Sequence, residues 1–305
     1  MTASEPFRFP FRAMGSPCHL SLFGGSFEEL ERAATTVLKE VERIEQRYSR
    51  YRQDSVLSDL NRKAFTPQGV VVDDEMAGLL DYANTCYEES DGLFDVTSGL
   101  LRRAWNFSGQ AVTLPPQSTI DQLLKRVGWG KVIWDRPLFR FKVSDMELDF
   151  GGIAKEFAAD RAVHTLVRHG IHSGVVNFGG DLRVIGPRPD GSPWEVGIYH
   201  PHHAGELLAT LPLHQGAVTT SGSYERYLEV AGKRYSHLLN PKTGWPVRGL
   251  ASVSVVAPLA LIAGSASTIA MLKGKGGPQW LKSMGLPALW VTDAGKVGEF
   301  KRPLR

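Results

Sequence analysis

Residues Leu148 to Gly186 read LDFGGIAKEFAADRAVHTLVRHGIHSGVVNFGGDLRVIG, and this stretch decides the fold class. The pair Gly151 and Gly152 ends a short apolar segment, and a helical pattern then begins near Ile153 and ends at Gly170. Two β-branched runs follow, Gly174–Phe178 and Leu182–Ile185, with Gly179 and Gly180 between them. A helix followed by two strands across a glycine turn is not a strict βαβ alternation.

Outward from this stretch, short strand signals accumulate downstream: Trp194–Tyr199, Leu207–Leu211, Ala217–Thr220, Tyr227–Val230, Ser252–Val256 and Leu289–Thr292. One helix, about Ala263 to Leu272, interrupts them. Upstream, Val132–Asp135 reads as a strand, and Cys18 to Phe23 as a strand feeding a long amphipathic helix. That helix shows Leu30, Ala33, Ala34, Val37, Leu38, Val41 and Ile44 on one face, with Ser26 as N-cap and Glu28 and Glu29 complementing the dipole. Met76, Leu79, Leu80, Ala83 and Tyr87 mark a second helix that stops before Gly92. Ile120, Leu123, Leu124 and Val127 mark a third, following Ser118 and stopping at Gly128. Helices gathered early and strands gathered late predict an α+β fold with a mostly antiparallel sheet. No internal repeat or low-complexity linker is present.

Bulk composition excludes several classes. With 305 residues, 42% hydrophobic and 22% charged, the chain is neither disordered nor fibrous. The 35 basic and 32 acidic residues are interspersed, which argues against nucleic acid as a partner. Cys18 and Cys86 form no disulfide framework and no metal-ligand spacing. No run reaches the roughly 18–20 apolar residues of a membrane span. The N-terminal MTASEPFRFPFRAMGSPC has no apolar core of the secretory kind, so the expected location is cytoplasmic.

Three clusters carry chemistry. In Leu148–Asp160 a glycine turn at a helix N-terminus lets backbone N–H groups approach a phosphate, and Lys155 adds countercharge. The plain alternative is a tight strand-to-helix turn. In Val175–Gly186, Asn177, Gly179, Gly180 and Asp181 can hold a ligand at a strand end, or simply form a bulge or hairpin turn. Thr219 to Pro246 crowds a small-hydroxyl turn together with His237, Asn240, Lys242 and Thr243. Loops present such groups to solvent as acid, base or phosphate ligand. Trp194, Trp245 and Trp290 can stack on an aromatic ligand, although tryptophans at strand positions usually pack in the core.

Together these strings resemble the ApbE family, the FAD:protein FMN transferases, from Phe11 to about Thr292. The family's Met-Gly-Thr element is similar to Met14, Gly15 and Ser16, and its Ser-rich stretch to Tyr48 through Asn61. GLFDVTSGLLRRAW, Gly92 to Trp105, follows. The family's Asp-Leu-Gly-Gly-Ile-Ala-Lys-Gly corresponds to Asp149–Glu156, Asn-x-Gly-Gly-Asp to Asn177–Asp181, and His-x-x-x-Pro-x-Thr-Gly-x-Pro to His237–Pro246.

The resemblance implies a single bilobed domain with a helical subdomain at about 70–130, and FAD in the cleft between the lobes. It implies Mg²⁺ on the pyrophosphate, and transfer of FMN from FAD to a Thr or Ser hydroxyl of a target flavoprotein with release of AMP. His237 matches the catalytic histidine. The residues expected to bind FAD are Met14, Ser16, Asp95, Lys155, Asn177, Gly179, Gly180, Asp181, Thr220, Ser221, Gly222, His237 and Thr243. The expected metal positions are Ala154, through its carbonyl, Thr268 and position 264.

Position 264 departs from the family: Gly264 stands where the family has Asp, Glu156 replaces the Gly after Lys155, and Ser16 replaces Thr. A hard cation favours anionic oxygen, so metal affinity should fall unless FAD phosphates or Asp181 supply the charge. The alternatives are therefore a FAD-binding or flavin-delivery protein, or a FAD pyrophosphatase. On spacing alone, Gly264→Asp should strengthen Mg²⁺ binding, because positions 264 and 268 share a helix face.

Overall fold

The computed structural model describes residues 5–105, 107, 113–224 and 226–301. The chain opens with β1 (Phe7–Ala13), β2 (Ser16–Phe23), α1 (Phe27–Tyr48), α2 (Val56–Lys63), β3 (Val70–Val71) and α3 (Asp74–Glu89). It continues through α4 (Gln117–Leu124), β4 (Val132–Asp135), β5 (Leu138–Phe141), α5 (Ala154–Arg168), β6 (Ser173–Phe178), β7 (Asp181–Gly186), β8 (Trp194–Tyr199) and β9 (Leu207–Leu213). The last part holds β10 (Gly216–Gly222), β11 (Tyr227–Val230), β12 (Lys233–Ser236), β13 (Leu250–Ala257), α6 (Ala260–Lys273), α7 (Gly277–Ser283), β14 (Ala288–Thr292) and β15 (Val297–Phe300).

An eight-stranded sheet in the order β1-β2-β6-β7-β10-β13-β14-β15 forms the frame, and each of its pairings is antiparallel. Both strands of the first pair come from the N-terminus, so the strands are not all late in the chain. Sequence reading missed β1, because Pro10 interrupts its alternation of Phe7, Phe9 and Phe11. Proline lacks the N–H that a central strand must donate, and it is tolerated here because β1 is an edge strand. Residues 24–172 are inserted between the neighbours β2 and β6.

Helices α1, α5 and α6 cover the sheet, α1 packing on α5 and α5 on α6. α1 starts at a full capping box: Ser26 Oγ accepts from Glu29 N at 3.3 Å, and Ser26 N donates to Glu29 Oε2 at 2.9 Å. Asp160 of α5 accepts from Ala260 N at 3.0 Å and Leu261 N at 2.9 Å, capping α6, and pairs with Arg183 at 3.0 Å. This bridge sets α5 and α6 side by side in opposite directions. None of the helices among the described residues is long and apolar enough to cross a membrane.

The main core runs from Leu20 and Leu22 through Phe150 and Phe178 to Val253 and Val255. A second lobe has its own small core, in which Trp105, Ile120 and Leu228 are buried with Tyr235, Leu239 and Trp245 against them. α4 ends at Leu124, short of Gly128. Lys131 Nζ takes the carbonyls of Leu124, Lys125 and Val127 at 3.1, 2.9 and 2.6 Å, which satisfies the acceptors that a longer helix would have used. It begins at Gln117, one residue before Ser118, with Pro116 at its N-cap.

Candidate active site

Three turns meet at one end of the large sheet because of its register. β2 pairs with β6 as Cys18↔Phe178, and β7 pairs with β10 as Leu182↔Val218. The Met14–Gly15 turn, the Gly179–Gly180 turn and the Thr219–Gly222 end of β10 therefore lie side by side. Met14 holds a positive φ of 50°, and its N–H donates to Glu45 Oε2 at 3.0 Å. Gly179 has φ +62°, and a Cβ there would meet Ser16 Cβ at 2.8 Å, so only glycine lets the two turns touch. Gly180 N donates to Asn177 Oδ1 at 2.9 Å, and Gly179 N to the Pro17 carbonyl at 3.1 Å.

Charge gathers beneath these turns. Lys155, in the first turn of α5, pairs with buried Asp181 at 2.5 Å. Asp181 Oδ1 also accepts from Thr220 N at 3.1 Å, tying the β7 start to β10. Ser221 Oγ lies 2.8 Å from Ser267 Oγ and 3.0 Å from Thr268 Oγ1, tying β10 to α6. No side chain caps the N-terminus of α5, where Ile153 precedes Ala154.

The turn before α5 is held from elsewhere in the chain. Asn61 brackets Leu148, donating to its carbonyl at 3.0 Å and accepting from its N–H at 2.7 Å. Asp149 is reached by Arg102 at 2.6 Å and by Arg50 at 3.7 Å, and its Oδ1 accepts from Gly151 N at 3.0 Å. Sequence reasoning matched these segments to the family by order alone and gave none of these side chains a role.

Glu156 is the residue most out of place. It is 7% exposed, and its Oε2 is buried without a hydrogen-bond partner. Burial first, and then the neighbouring Asp181 charge, push its carboxyl up to about 8 against the opposing pull of Lys155. Its side chain lies directly against Gly264 of α6, where a Cβ would fall 2.4 Å from Glu156 Cγ. No group of three or more His, Cys, Asp and Glu side chains converges among the described residues. The orphaned Oε2, Asp181 and the Thr268 hydroxyl are nevertheless oxygen donors of the kind a small hard cation takes, and such a cation keeps several waters or substrate oxygens of its own.

The contact between Glu156 and Gly264 corrects the expectation for Gly264→Asp, since any side chain at 264 must first displace a buried one. The backbone there is helical. Gly→Ala in an open helix normally gains about 0.5–1 kcal/mol. Here we expect Gly264→Ala to lose about 1–3 kcal/mol by overpacking, visible as a lower melting temperature. A melting temperature equal to or above that of the parent would refute the close contact.

His237 and Thr243 belong to the second lobe. His237 follows β12 and faces Arg226 across the hairpin, where its Nδ1 donates to the Arg226 carbonyl at 3.0 Å. A carbonyl can only accept, so Nδ1 carries the proton and Nε2 is left as the basic nitrogen. Burial, joined by the Arg226 charge, holds the imidazole below its ordinary pKa. Asn240 orders the next turn by accepting from Lys242 N at 2.8 Å and Thr243 N at 3.3 Å, which leaves Thr243 exposed. Beside Asn240, a recess of about 620 Å³ is lined by Leu93, Leu272, Lys273 and Trp280.

Two expected ligands are placed differently from the rest. Asp95 is buried, and both its oxygens are taken by protein donors: Thr97 N at 2.8 Å, Thr97 Oγ1 at 2.6 Å and Trp129 N at 2.9 Å. It braces the loop before Ser98–Arg103. Gly222 closes β10 against the Tyr224 ring, where a Cβ would sit 2.4 Å from Cε1. The three tryptophans pack internally. Trp194 donates to the Gly186 carbonyl at 3.0 Å, Trp245 meets Trp105 edge-on at 5.2 Å, and Trp290 lies over Gly298.

Comparison with known proteins agrees with this arrangement. The ApbE family profile matches residues 14–290. The FAD:protein FMN transferase of Haemophilus influenzae is 30% identical over 272 residues, covering 84% of this chain and 78% of that protein. The ApbE protein of Thermotoga maritima superposes with a TM-score of 0.88 at 30% identity, covering 97% of each chain. The apo form of the Pseudomonas stutzeri flavinyl transferase ApbE superposes with a TM-score of 0.86 at 28% identity, covering 99% of this chain and 97% of that one. With a profile match that runs over most of the chain and relatives alike across its length, the chain belongs to the ApbE family.

Proposed function

We propose that this protein is a FAD:protein FMN transferase that moves FMN from FAD to a Thr or Ser hydroxyl of a target flavoprotein. The observation that carries the reading is the Lys155–Asp181 pair, at 2.5 Å, set under the Gly179–Gly180 turn at an uncapped helix N-terminus. Such a place suits a pyrophosphate, since the helix end, the glycine backbone and a lysine all favour anionic oxygen. In the reaction the acceptor hydroxyl attacks the FMN-side phosphorus. Its proton passes to His237 Nε2, the P–O bond to AMP breaks, and AMP leaves with the bonding pair. A bound Mg²⁺ would offset pyrophosphate charge, and the Thr268 hydroxyl, the Ala154 carbonyl and Asp181 are the groups to hold it. The buried thiols fit a reducing, cytoplasmic setting: burial raises Cys18, and Cys86 to about 11, so neither is reactive.

The test is to mix the protein with FAD, Mg²⁺ and a Thr-containing flavinylation target, and to read in-gel fluorescence after denaturation. A fluorescent target band is expected. Release of FMN and AMP without labelling would reassign the protein as a pyrophosphatase, and FAD quenching without turnover as a flavin-binding or delivery protein. We also expect the apoprotein to quench flavin fluorescence at or below tens of micromolar FAD, a weak-ligand range; no quenching there removes every FAD-based reading.

A further inference from the structure

We propose that Glu156 supplies the carboxylate of the cation site, so that the anionic ligand stands on α5 and reaches across the helix contact into the space that a side chain at position 264 would fill. The proposal rests on the transferase reading in taking a divalent cation to accompany the pyrophosphate. Its first support is steric. The direction a side chain would take from Gly264 leads to Glu156 Cγ at 2.4 Å, Cδ at 3.0 Å and Oε1 at 3.1 Å, so the Glu156 carboxyl lies where an α6 carboxyl would otherwise project. The second is the orphaned Oε2, since a buried carboxylate oxygen without a donor is costly unless a ligand completes it.

The third support is the surroundings. Lys155 Nζ lies 2.5 Å from Asp181 Oδ2 and 3.8 Å from Glu156 Oε1, so it brings the two carboxyls to one place, and Thr268 is one helical turn beyond Gly264 on the same face of α6. The two residues also depend on each other. A side chain at 264 collides with Glu156, whereas glycine at both positions would leave a void between packed helices and no carboxylate. The opposed pair, one large and acidic and one without a side chain, fills the contact once.

The test uses the full chain without FAD and Mn²⁺ as the probe, with free Mn²⁺ read by its paramagnetic resonance signal and Mg²⁺ followed by calorimetry. Glu156→Gln keeps shape and removes the anionic oxygen. It should fold with a melting temperature no lower than the parent and bind Mn²⁺ about tenfold or more weakly. The exchange Glu156→Gly with Gly264→Asp should bring affinity back to within about threefold of the parent. Unchanged Mn²⁺ affinity in folded Glu156→Gln overturns the proposal, as does a parent that binds no Mn²⁺ at millimolar concentration. If the double variant does not fold, the Gln variant decides alone. Because no flavin is present, failure of FAD binding would remove the transferase reading without touching this result.

Discussion

Replacing His237 by Ala is expected to slow FMN transfer by about 10²–10⁴-fold, the usual contribution of a positioned acid or base, and to leave FAD affinity nearly unchanged. The asymmetry follows from role, because a base acts only as the hydroxyl attacks, whereas FAD binding is expected to draw on many backbone and side-chain contacts besides His237. The hydrogen bond from Nδ1 to the Arg226 carbonyl fixes which nitrogen can act. The pH profile gives a second check. The imidazole is held below its ordinary value, so it stays neutral on acidification past the ordinary midpoint of about 6.5. The acid limb of the transfer rate should therefore fall below that pH, and it should disappear in His237→Ala. Full activity in the variant, or an acid limb at or above the ordinary histidine value, would take His237 out of the mechanism.

Trp105→Ala should cost about 3–5 kcal/mol of stability, the range for removing a buried Trp or Phe. Trp105 is 2% exposed. It stacks on Phe107 at 6.0 Å and meets Trp245 at 5.2 Å, and its indole N–H donates to the Gly244 carbonyl at 2.8 Å. That last bond reaches the Asn240–Gly244 turn, so the loss is not confined to packing. We expect His237 to lose its fixed approach and transfer to fall along with the melting temperature. Trp105→Phe should retain most of the packing, lose the bond to Gly244, and lie between the two. A Trp105→Ala protein that melts like the parent would show that the second lobe does not depend on this residue.

The repeating elements were legible in the sequence because their signals are local. The amphipathic face from Leu30 to Ile44 and the Ser26 cap needed no distant partner to be recognised, and β4, β8 and β11 fall where their β-branched and aromatic runs begin and end. The motifs that mark the family also survive in order along the chain. β1 was missed because its proline is acceptable only at a sheet edge, and edges exist only once the sheet has formed. The end of α4 was missed because the cation that takes its last carbonyls, Lys131, lies beyond the helix.

The sequence by itself determined an α+β chain, its family and the set of polar residues from which the site is made. It also determined that Gly264 and Glu156 both depart from the family pattern, but as two separate losses 108 positions apart in the numbering. Only the tertiary structure joined them. α5 and α6 are set antiparallel by Asp160 capping Ala260 and Leu261, and this brings Glu156 onto the bare surface of Gly264. The structure likewise shows what the sequence does not, that both oxygens of Asp95 are held by backbone and hydroxyl donors. Sequence spacing specifies which residues share a face of one helix or strand. Which two faces press together is decided by packing over the whole chain, and that is the level at which the two departures become one arrangement.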